Sequence, residues 1–329
     1  MKDLVDSFNR KINYLRVSIT DRCNLRCVYC MPIDGIPKVN QKDILSYEEI
    51  LRIVEVAVKN GITKIRITGG EPLVRKGVID FVRSLSRIHG VKDLSLTTNG
   101  ILLRGFASDL FQAGLHRVNV SMDSLNHVKF QKITGGGNLE KVCEGIEEAL
   151  RVGFSPIKIN TVIIHGFNDD EVIDFARLSI NNPYHIRFIE LMPIGSNSKW
   201  SEERYISSQE AKDKIESFRK LHPIHKKGER AAARMFRFKG AMGEIGFISP
   251  MSAHFCSSCN RLRLTANGKL RTCLFSNEEV DLKPSLRESY DNSGLERLID
   301  LAISNKPEKH HLGEKNPKKC SRNMSDIGG

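Results

Sequence analysis

Apolar residues recur along this chain in two alternating rhythms. Runs of period two occupy 14–20, 62–68, 93–99, 115–121, 156–163 and 185–192, the spacing of strands whose side chains alternate between faces. Between them, at 46–60, 74–89, 102–113, 138–152 and 169–180, apolar residues return every three or four positions, as on the buried stripe of a helix. Six strands separated by five helices predict consecutive βα units around a parallel sheet. Right-handed crossovers curl such a series into a barrel, or into part of one if only six strands take part. The expected fold is therefore α/β, a partial (β/α)6 barrel of TIM type over residues 1–199.

One feature of these strands is unusual. Parallel strands covered by helices normally read as nearly continuous apolar runs. Here one parity is polar throughout: Arg16, Ser18, Thr20; Lys64, Arg66, Thr68; Ser95, Thr97, Asn99; Asn119, Ser121; Lys158, Asn160. The other parity is apolar, as in Val17, Ile19, Ile65, Ile67, Ile157 and Ile159. One face of the sheet is then polar and cationic. A water-exposed antiparallel sheet would alternate in the same way, but the intervening helices disfavour it. The expectation is a wet lumen that binds an anion.

After residue 199 the pattern changes. Runs at 234–239 and 244–248 predict a hairpin. A second is expected from 261–266 and 269–275 around Asn267-Gly268, a two-residue turn signal. Residues 285–305 read as helical, and 306–319 as basic and irregular. Residues 200–329 thus form an extension of β-hairpins, expected to close the barrel.

Composition narrows the function classes. Of 329 residues, 40% are hydrophobic and 27% charged, which suits a buried core and excludes disorder over the chain as a whole. Fifty-one Lys and Arg against 39 Asp and Glu give a net charge of +12, pointing to a polyanionic partner: nucleic acid, an anionic membrane or a phosphorylated small molecule. A basic surface with no partner is equally compatible with that number. No apolar run approaches the roughly 18 residues of a membrane span, and residues 1–6 lack the apolar core of a secretory signal. A cytosolic protein is expected.

Eight cysteines carry the chemistry. Three stand at Cys23, Cys27 and Cys30, three at Cys256, Cys259 and Cys273, and Cys143 and Cys320 stand alone. In a cytosolic chain, clustering of this kind argues for metal ligation over disulfides. Three thiolates suit a [4Fe–4S] cluster with one iron left open; zinc would need a fourth ligand, which His254 could supply to the second triplet. Pairing Ala266 with Lys269 puts Cys273 opposite Leu262 and brings the second three sulfurs to one end of the hairpin. Arg261 and Arg263 share a strand face, and two guanidiniums beside an open iron suit a phosphorylated or electron-rich planar ligand. Cys143 is expected as a small buried residue on its helix. No role is assigned to Cys320 or to His310-His311.

Cys23-x3-Cys27-x-Tyr29-Cys30 resembles the signature of the radical S-adenosylmethionine enzymes, and Gly69-Gly70-Glu71-Pro72 one strand later resembles their GGEP turn. That likeness implies a first [4Fe–4S] cluster whose open iron chelates S-adenosylmethionine and cleaves it to a 5′-deoxyadenosyl radical. The pattern Cys256-x2-Cys259-x-Arg261-x-Arg263, followed by Cys273 and a terminal Gly328-Gly329, is similar to the GTP 3′,8-cyclases of molybdenum cofactor biosynthesis over essentially the whole chain. The resemblance implies a lyase that converts GTP to (8S)-3′,8-cyclo-7,8-dihydroguanosine 5′-triphosphate, with guanine on a second [4Fe–4S] cluster. By motif it implies that Tyr29, Gly70, Ser121 and Met192 contact S-adenosylmethionine. It implies likewise that Arg16, Arg66, Thr97, Lys158, Arg261 and Arg263 contact GTP, with Lys64 added from the same face. Arg261, Arg263 and the inserted tail Gly328 and Gly329 are the expected catalytic group. The product would pass to cyclic pyranopterin monophosphate synthase; homodimers are common in that family, though no interface is legible here.

Two other readings fit less well. A radical enzyme that matures a peptide would carry more auxiliary cysteines and need no cationic lumen. A basic iron–sulfur or zinc protein that binds RNA would need aromatic residues for base stacking, and these make up only 7%.

Overall fold

The computed structural model describes residues 3–31, 39–195, 202–224, 232–288, 291–310, 312 and 320–328. Strands β1 (Tyr14–Ser18), β2 (Lys64–Thr68), β3 (Asp93–Thr98), β4 (Arg117–Ser121), β5 (Ile157–Ile163) and β6 (Tyr184–Glu190) lie side by side in chain order, all parallel. The helices between them are α1 (Tyr47–Lys59), α2 (Val78–Ser86), α3 (Leu103–Gln112), α4 (His127–Thr134), α5 (Leu139–Arg151) and α6 (Val172–Asn181). The α4 helix was not expected. It is short, with Asn126 as its cap, and its apolar stripe is too brief to give a clear period.

The partial barrel is extended at both edges. Beyond residue 199 come α7 (Ser208–Phe218), β7 (Leu221–Pro223), β8 (Ala233–Phe238), β9 (Glu244–Ile248), β10 (Arg261–Leu264), β11 (Lys269–Arg271), β12 (Val280–Asp281), α8 (Lys283–Glu288) and α9 (Ser293–Ser304). The predicted β8–β9 hairpin is present, and β9 adds parallel to β6. At the other edge β10 adds parallel to β1. The sheet therefore runs β12-β11-β10-β1-β2-β3-β4-β5-β6-β9-β8-β7. Both edges of the six-stranded unit are thereby paired, and the sheet ends instead on the short strands β12 and β7, which limits the open ladder. The helical run expected at 285–305 is instead the two helices α8 and α9.

The second hairpin departs from expectation by one residue. Arg263 pairs with Arg271 and Leu264 with Leu270, so Cys273 falls level with Arg261, not Leu262. A two-residue type I′ turn needs positive φ at both central positions, and Asn267 is not among the positive-φ residues. Instead the loop has three residues, closed by Lys269 N–H donating to the Thr265 hydroxyl at 2.9 Å, with Gly268 at φ +84°, the bulged form of hairpin turn.

The apolar parity faces outward under the helices. Leu15, Val17, Ile65, Ile67, Leu94, Leu96, Val118, Val120, Ile157 and Ile159 are buried in one core with Ile50, Val54, Phe81 and Leu110. Capping boxes fix the starts of α1 (Ser46 with Glu49) and α7 (Ser207 with Glu210). Cys143 is exposed, against expectation. The stripe of α5 is Leu139, Val142, Ile146 and Ala149, and the 100° step from Val142 turns Cys143 off it. No described helix is long and apolar enough to cross a membrane.

Phe188 of β6 joins the two parts of the fold. It is fully buried, with ring centroids 6.4 Å from Phe175 of α6 and 5.7 Å from Phe247 of β9. Phe188→Ala is expected to cost about 3–5 kcal/mol, read as a lower urea midpoint with an unchanged slope. A loss below about 1 kcal/mol would show that β9 docks without this contact.

Candidate functional site

Register places the polar parity in rows on the inner face. Arg16 stands level with Arg263 of β10 and Arg66 of β2. Thr97, Asn119, Lys158 and His185 make the next row across β3 to β6, and Ser121, Asn160 and Arg187 the row beyond. Lys64 lies at the amino-terminal end of β2, level with Tyr14 and Asp93. Arg66 Nε donates to Ser95 Oγ at 3.3 Å, and its guanidinium lies 5.4 Å from the Tyr14 ring. Arg117 is ion-paired with Asp93.

These cations are not neutralised by one another. Burial, then Arg263 and Arg66, hold the Arg16 guanidinium well below its usual range. Burial and then Arg66 bring Arg187 down to about 10; burial and then Arg261 bring Arg263 down to about 10. Lys158 is pushed down to about 6 by burial, then by Arg187, Arg117 and Arg66. Buried Arg16 Nε, Arg187 Nε, Thr97 Oγ1, Asn119 Oδ1 and Tyr14 OH have no hydrogen-bond partner. Orphaned polar atoms, most of them able to donate, beside crowded cations mark a face shaped for an anionic, hydrogen-bonding guest. Arg187 escaped the sequence reading, although its period-two step from His185 continues the polar parity.

The first cysteine triplet occupies the loop after β1. Asn99, just beyond β3, donates from Nδ2 to Cys23 Sγ at 3.8 Å, and the Ser325 backbone N–H faces the Cys30 sulfur. Burial and then Cys30 raise the Cys27 thiol well above its ordinary value; burial and then Cys23 push Cys30 up to about 12. Burial makes these thiolates costly without a cation beside them, and it is the number and spacing of the cysteines that suit a [4Fe–4S] cluster. Among the described residues no three His, Cys, Asp or Glu side chains are grouped to hold a single metal ion. A cubane does not need that grouping, because each thiolate takes a different iron.

Glycine makes the neighbouring turn possible. A Cβ on Gly70 would lie 2.3 Å from the Arg22 carbonyl oxygen, and one on Gly69 2.7 Å from that of Thr20. The close approach lets Gly70 N–H donate to Thr20 O at 2.7 Å and Glu71 N–H to Arg22 O at 2.8 Å. Glu71 is buried and accepts from Thr98 Oγ1 at 2.8 Å and Asn99 N–H at 2.7 Å, tying the loops after β1, β2 and β3 together. Burial lifts its carboxyl to about 7. Tyr29 donates to Asp123 Oδ2 at 2.6 Å. Ser121 ends β4, and Met192 follows β6, packed with Cys273, Ile194 and Phe275.

The second triplet is assembled beside β10. A turn at Cys256–Ser258 is closed by Cys259 N–H donating to Cys256 O at 3.0 Å. Arg10 donates from Nη1 to the same Cys256 oxygen at 2.8 Å while paired with buried Asp6. Lys306 Nζ lies 3.6 Å from Cys259 Sγ. Burial disfavours the Cys259 thiolate, but Lys306 and Arg261 outweigh it and hold the thiol below its ordinary value. A half-buried thiol held below its ordinary value by neighbouring cations fits a metal ligand. The His254 ring packs 5.3 Å from that of His310. Arg10 and Lys306 gave no signal in the sequence, since each reaches the site from a distant segment.

The C-terminal tail threads between the triplets. Cys320 bridges to Ile194 and accepts from Arg271 Nη2 at 3.4 Å, and Arg322 pairs with Glu279 at 2.8 Å. Ile327 is buried against Ile194 and Phe275. Gly328, at φ +77°, comes so close to β1 and β2 that a Cβ would lie 2.6 Å from Thr68 Oγ1. Its carbonyl accepts from Arg16 Nη2 at 3.3 Å. Gly329 and His311 lie outside the described residues.

Comparison with known proteins agrees with this geometry. Residues 17–179 match the family model described as Radical SAM superfamily, and residues 184–312 that described as Molybdenum Cofactor Synthesis C. The chain is 51% identical over 324 residues to the GTP 3′,8-cyclase of Alkaliphilus metalliredigens, spanning 98% of this chain and 99% of that one. It is 52% identical over 326 residues to the GTP 3′,8-cyclase of Thermodesulfovibrio yellowstonii, spanning 98% and 99%. Among solved structures, Streptococcus suis SuiB bound to S-adenosylmethionine superposes with a TM-score of 0.61 over 88% of this chain and 68% of that one, at 14% identity; this likeness is one of fold.

Lys158 supplies a test of the inner face. With a pKa of about 6 it is mainly neutral above pH 7, and a docked polyanion would recharge it. Binding of a nucleoside triphosphate is therefore expected to take up a proton, with affinity falling as pH rises from 7 to 9. Calorimetry in buffers of different ionisation enthalpy reads the uptake, which Lys158→Met should abolish. Binding heats independent of buffer would place the anion elsewhere. Without ligand, this lysine's contribution to stability rises with pH from about 6 toward the ordinary lysine range, because there the unfolded chain holds a proton that the folded one lacks.

Proposed function

The chain belongs to the GTP 3′,8-cyclases, radical S-adenosylmethionine enzymes of molybdenum cofactor biosynthesis, and we propose that GTP lies along the cationic inner face between the two cysteine triplets. The observation that carries this reading is the set of inner-face cations Arg16, Arg66, Lys158 and Arg187, spread over three successive rows, with Arg263 level with Arg16. The enzyme is a lyase that uses two [4Fe–4S] clusters and S-adenosylmethionine. When bound, S-adenosylmethionine and the first cluster supply the 5′-deoxyadenosyl radical that opens the conversion of GTP to (8S)-3′,8-cyclo-7,8-dihydroguanosine 5′-triphosphate.

The chain's own residues bind, orient and seal. Cys23, Cys27 and Cys30 hold the first cluster, and Cys256, Cys259 and Cys273 the second. Tyr29, Gly70, Ser121 and Met192 line the S-adenosylmethionine site, where the bare Gly70 backbone permits close approach. Glu71 fixes that backbone through Thr98 and Asn99. Arg16, Arg66 and Lys158, with Lys64 and Arg187, neutralise the triphosphate, whose attraction grows in a cavity of low dielectric. Arg261 and Arg263 orient the nucleotide beside the second cluster, and Thr97 supplies an unpaired hydroxyl. Gly328 covers the inner face and excludes water from the reacting atoms, and Gly329 belongs to the same catalytic pair by motif. The product passes to cyclic pyranopterin monophosphate synthase.

Two cysteine substitutions separate the roles of the triplets. In anaerobic assays with dithionite, Cys27→Ser is expected to lose at least about 100-fold in 5′-deoxyadenosine formation, since the first ligand set is broken. Cys259→Ser is expected to retain some 5′-deoxyadenosine formation but to lose conversion of GTP, followed by mass spectrometry. Retained cleavage in Cys27→Ser would reject the first assignment. Unchanged GTP conversion in Cys259→Ser would reject the second.

A further inference from the structure

Carboxylates gather around the first triplet, with Arg26 the smallest influence on Cys23, and cations around the second. Around the first, buried Glu71 holds the Asn99 backbone at 2.7 Å while the Asn99 side chain reaches Cys23 Sγ. Buried Asp123 holds the hydroxyl of Tyr29, the residue before Cys30, at 2.6 Å. Asp326 of the tail adds a third carboxylate within electrostatic reach of Cys30. Around the second, Lys306 is 3% exposed. Its ammonium lies 3.6 Å from Cys259 Sγ and 3.1 Å from Arg261 O, and also donates to Thr272 O. Among the described residues no carboxylate is paired with Lys306. A buried ammonium is costly unless an anion lies against it, and the anion offered here is the Cys259 sulfur.

We propose that Lys306 is a positioning residue for the second cluster, and that its charge and N–H···S contact make that cluster reducible at a higher potential than the first. Reduction adds one negative charge. A cation and a hydrogen bond at a ligand sulfur favour the reduced form, whereas buried carboxylates oppose it. Asp123 and Asp326, the carboxylates that act on Cys30, therefore reserve the stronger reducing power for the first cluster, and Glu71, lifted to about 7, adds less. Lys306 reaches Cys259 from just beyond α9 and also bonds the ends of β10 and β11, so it sets both the charge at this sulfur and the distance to it. The inference rests on the reading of both triplets as [4Fe–4S] seats.

The test is a redox titration of the reconstituted holoenzyme, with dithionite and mediators, followed by electron paramagnetic resonance. The signal that changes on adding S-adenosylmethionine marks the first cluster, and the one that changes on adding GTP the second. In the wild-type protein the second is expected to be reduced first. Lys306→Met should lower its reduced-to-oxidised ratio about tenfold at fixed poise, about 59 mV for a one-electron couple, and leave the first cluster unmoved. Lys306→Arg, which keeps charge and donor, should restore most of that loss. A wild-type protein that reduces both together, or the first before the second, overturns the proposal, as does Lys306→Met shifting neither or both. Should Lys306→Met fail to hold its second cluster, the wild-type order alone decides. About eight irons per chain with the order inverted rejects this inference alone; about four would reject the reading of the second triplet along with it.

Discussion

Collecting guanidinium and ammonium groups on one buried face is the constraint around which this molecule is organised. Arg16, Arg66, Arg187, Arg263 and Lys158 are held near one another by strand register, and burial, then repulsion from neighbouring guanidiniums, depresses Lys158 to about 6. Such an arrangement is stable only because the opposite faces of the same strands bury a continuous aliphatic core under the helices. The core tolerates the unfavourable electrostatics, and the electrostatics create a demand for an anion. Binding energy for an anion is stored in that demand before any ligand arrives.

The same register joins the two halves of the chain. Because β10 adds directly to β1, Arg263 stands beside Arg16, and the Cys256–Cys259 turn is delivered to the edge of the inner face. Arg10 and Lys306, from opposite ends of the sequence, pin that turn by its carbonyl and its sulfur. The tail is fixed by a separate set of contacts at Cys320 and Arg322, so that Gly328 ends against Thr68 and accepts from Arg16. The cationic face and the tail thus meet at Arg16, and the cysteine turn joins them through the pairing of β10 with β1.

Glycine and carboxylate do complementary work at the first triplet. Gly69 and Gly70 permit backbone contact between the loops after β1 and β2, and Glu71 extends that contact to the loop after β3 through two short hydrogen bonds. Three loops from three strands are thereby linked. Precise placement of a reactive group depends on such rigidity.

By itself the sequence determined the six βα units, the polar parity of their strands, the six clustered cysteines and the GGEP turn. Each of these is a local pattern, written in neighbouring residues at fixed spacing. Tertiary structure decided what depends on distant segments meeting. It placed β9 and β10 at the two edges, gave the second hairpin its three-residue loop, exposed Cys143, and brought Arg10, Arg187, Lys306 and Gly328 to the site. The hairpin register was illegible because Asn-Gly serves both turn types, and only the backbone's choice of φ at Asn267 separates them. Lys306 was illegible for a simpler reason. A lysine in a basic segment reads as solvated, and only the packing of α9 against the cysteine hairpin turns it into a buried charge facing sulfur.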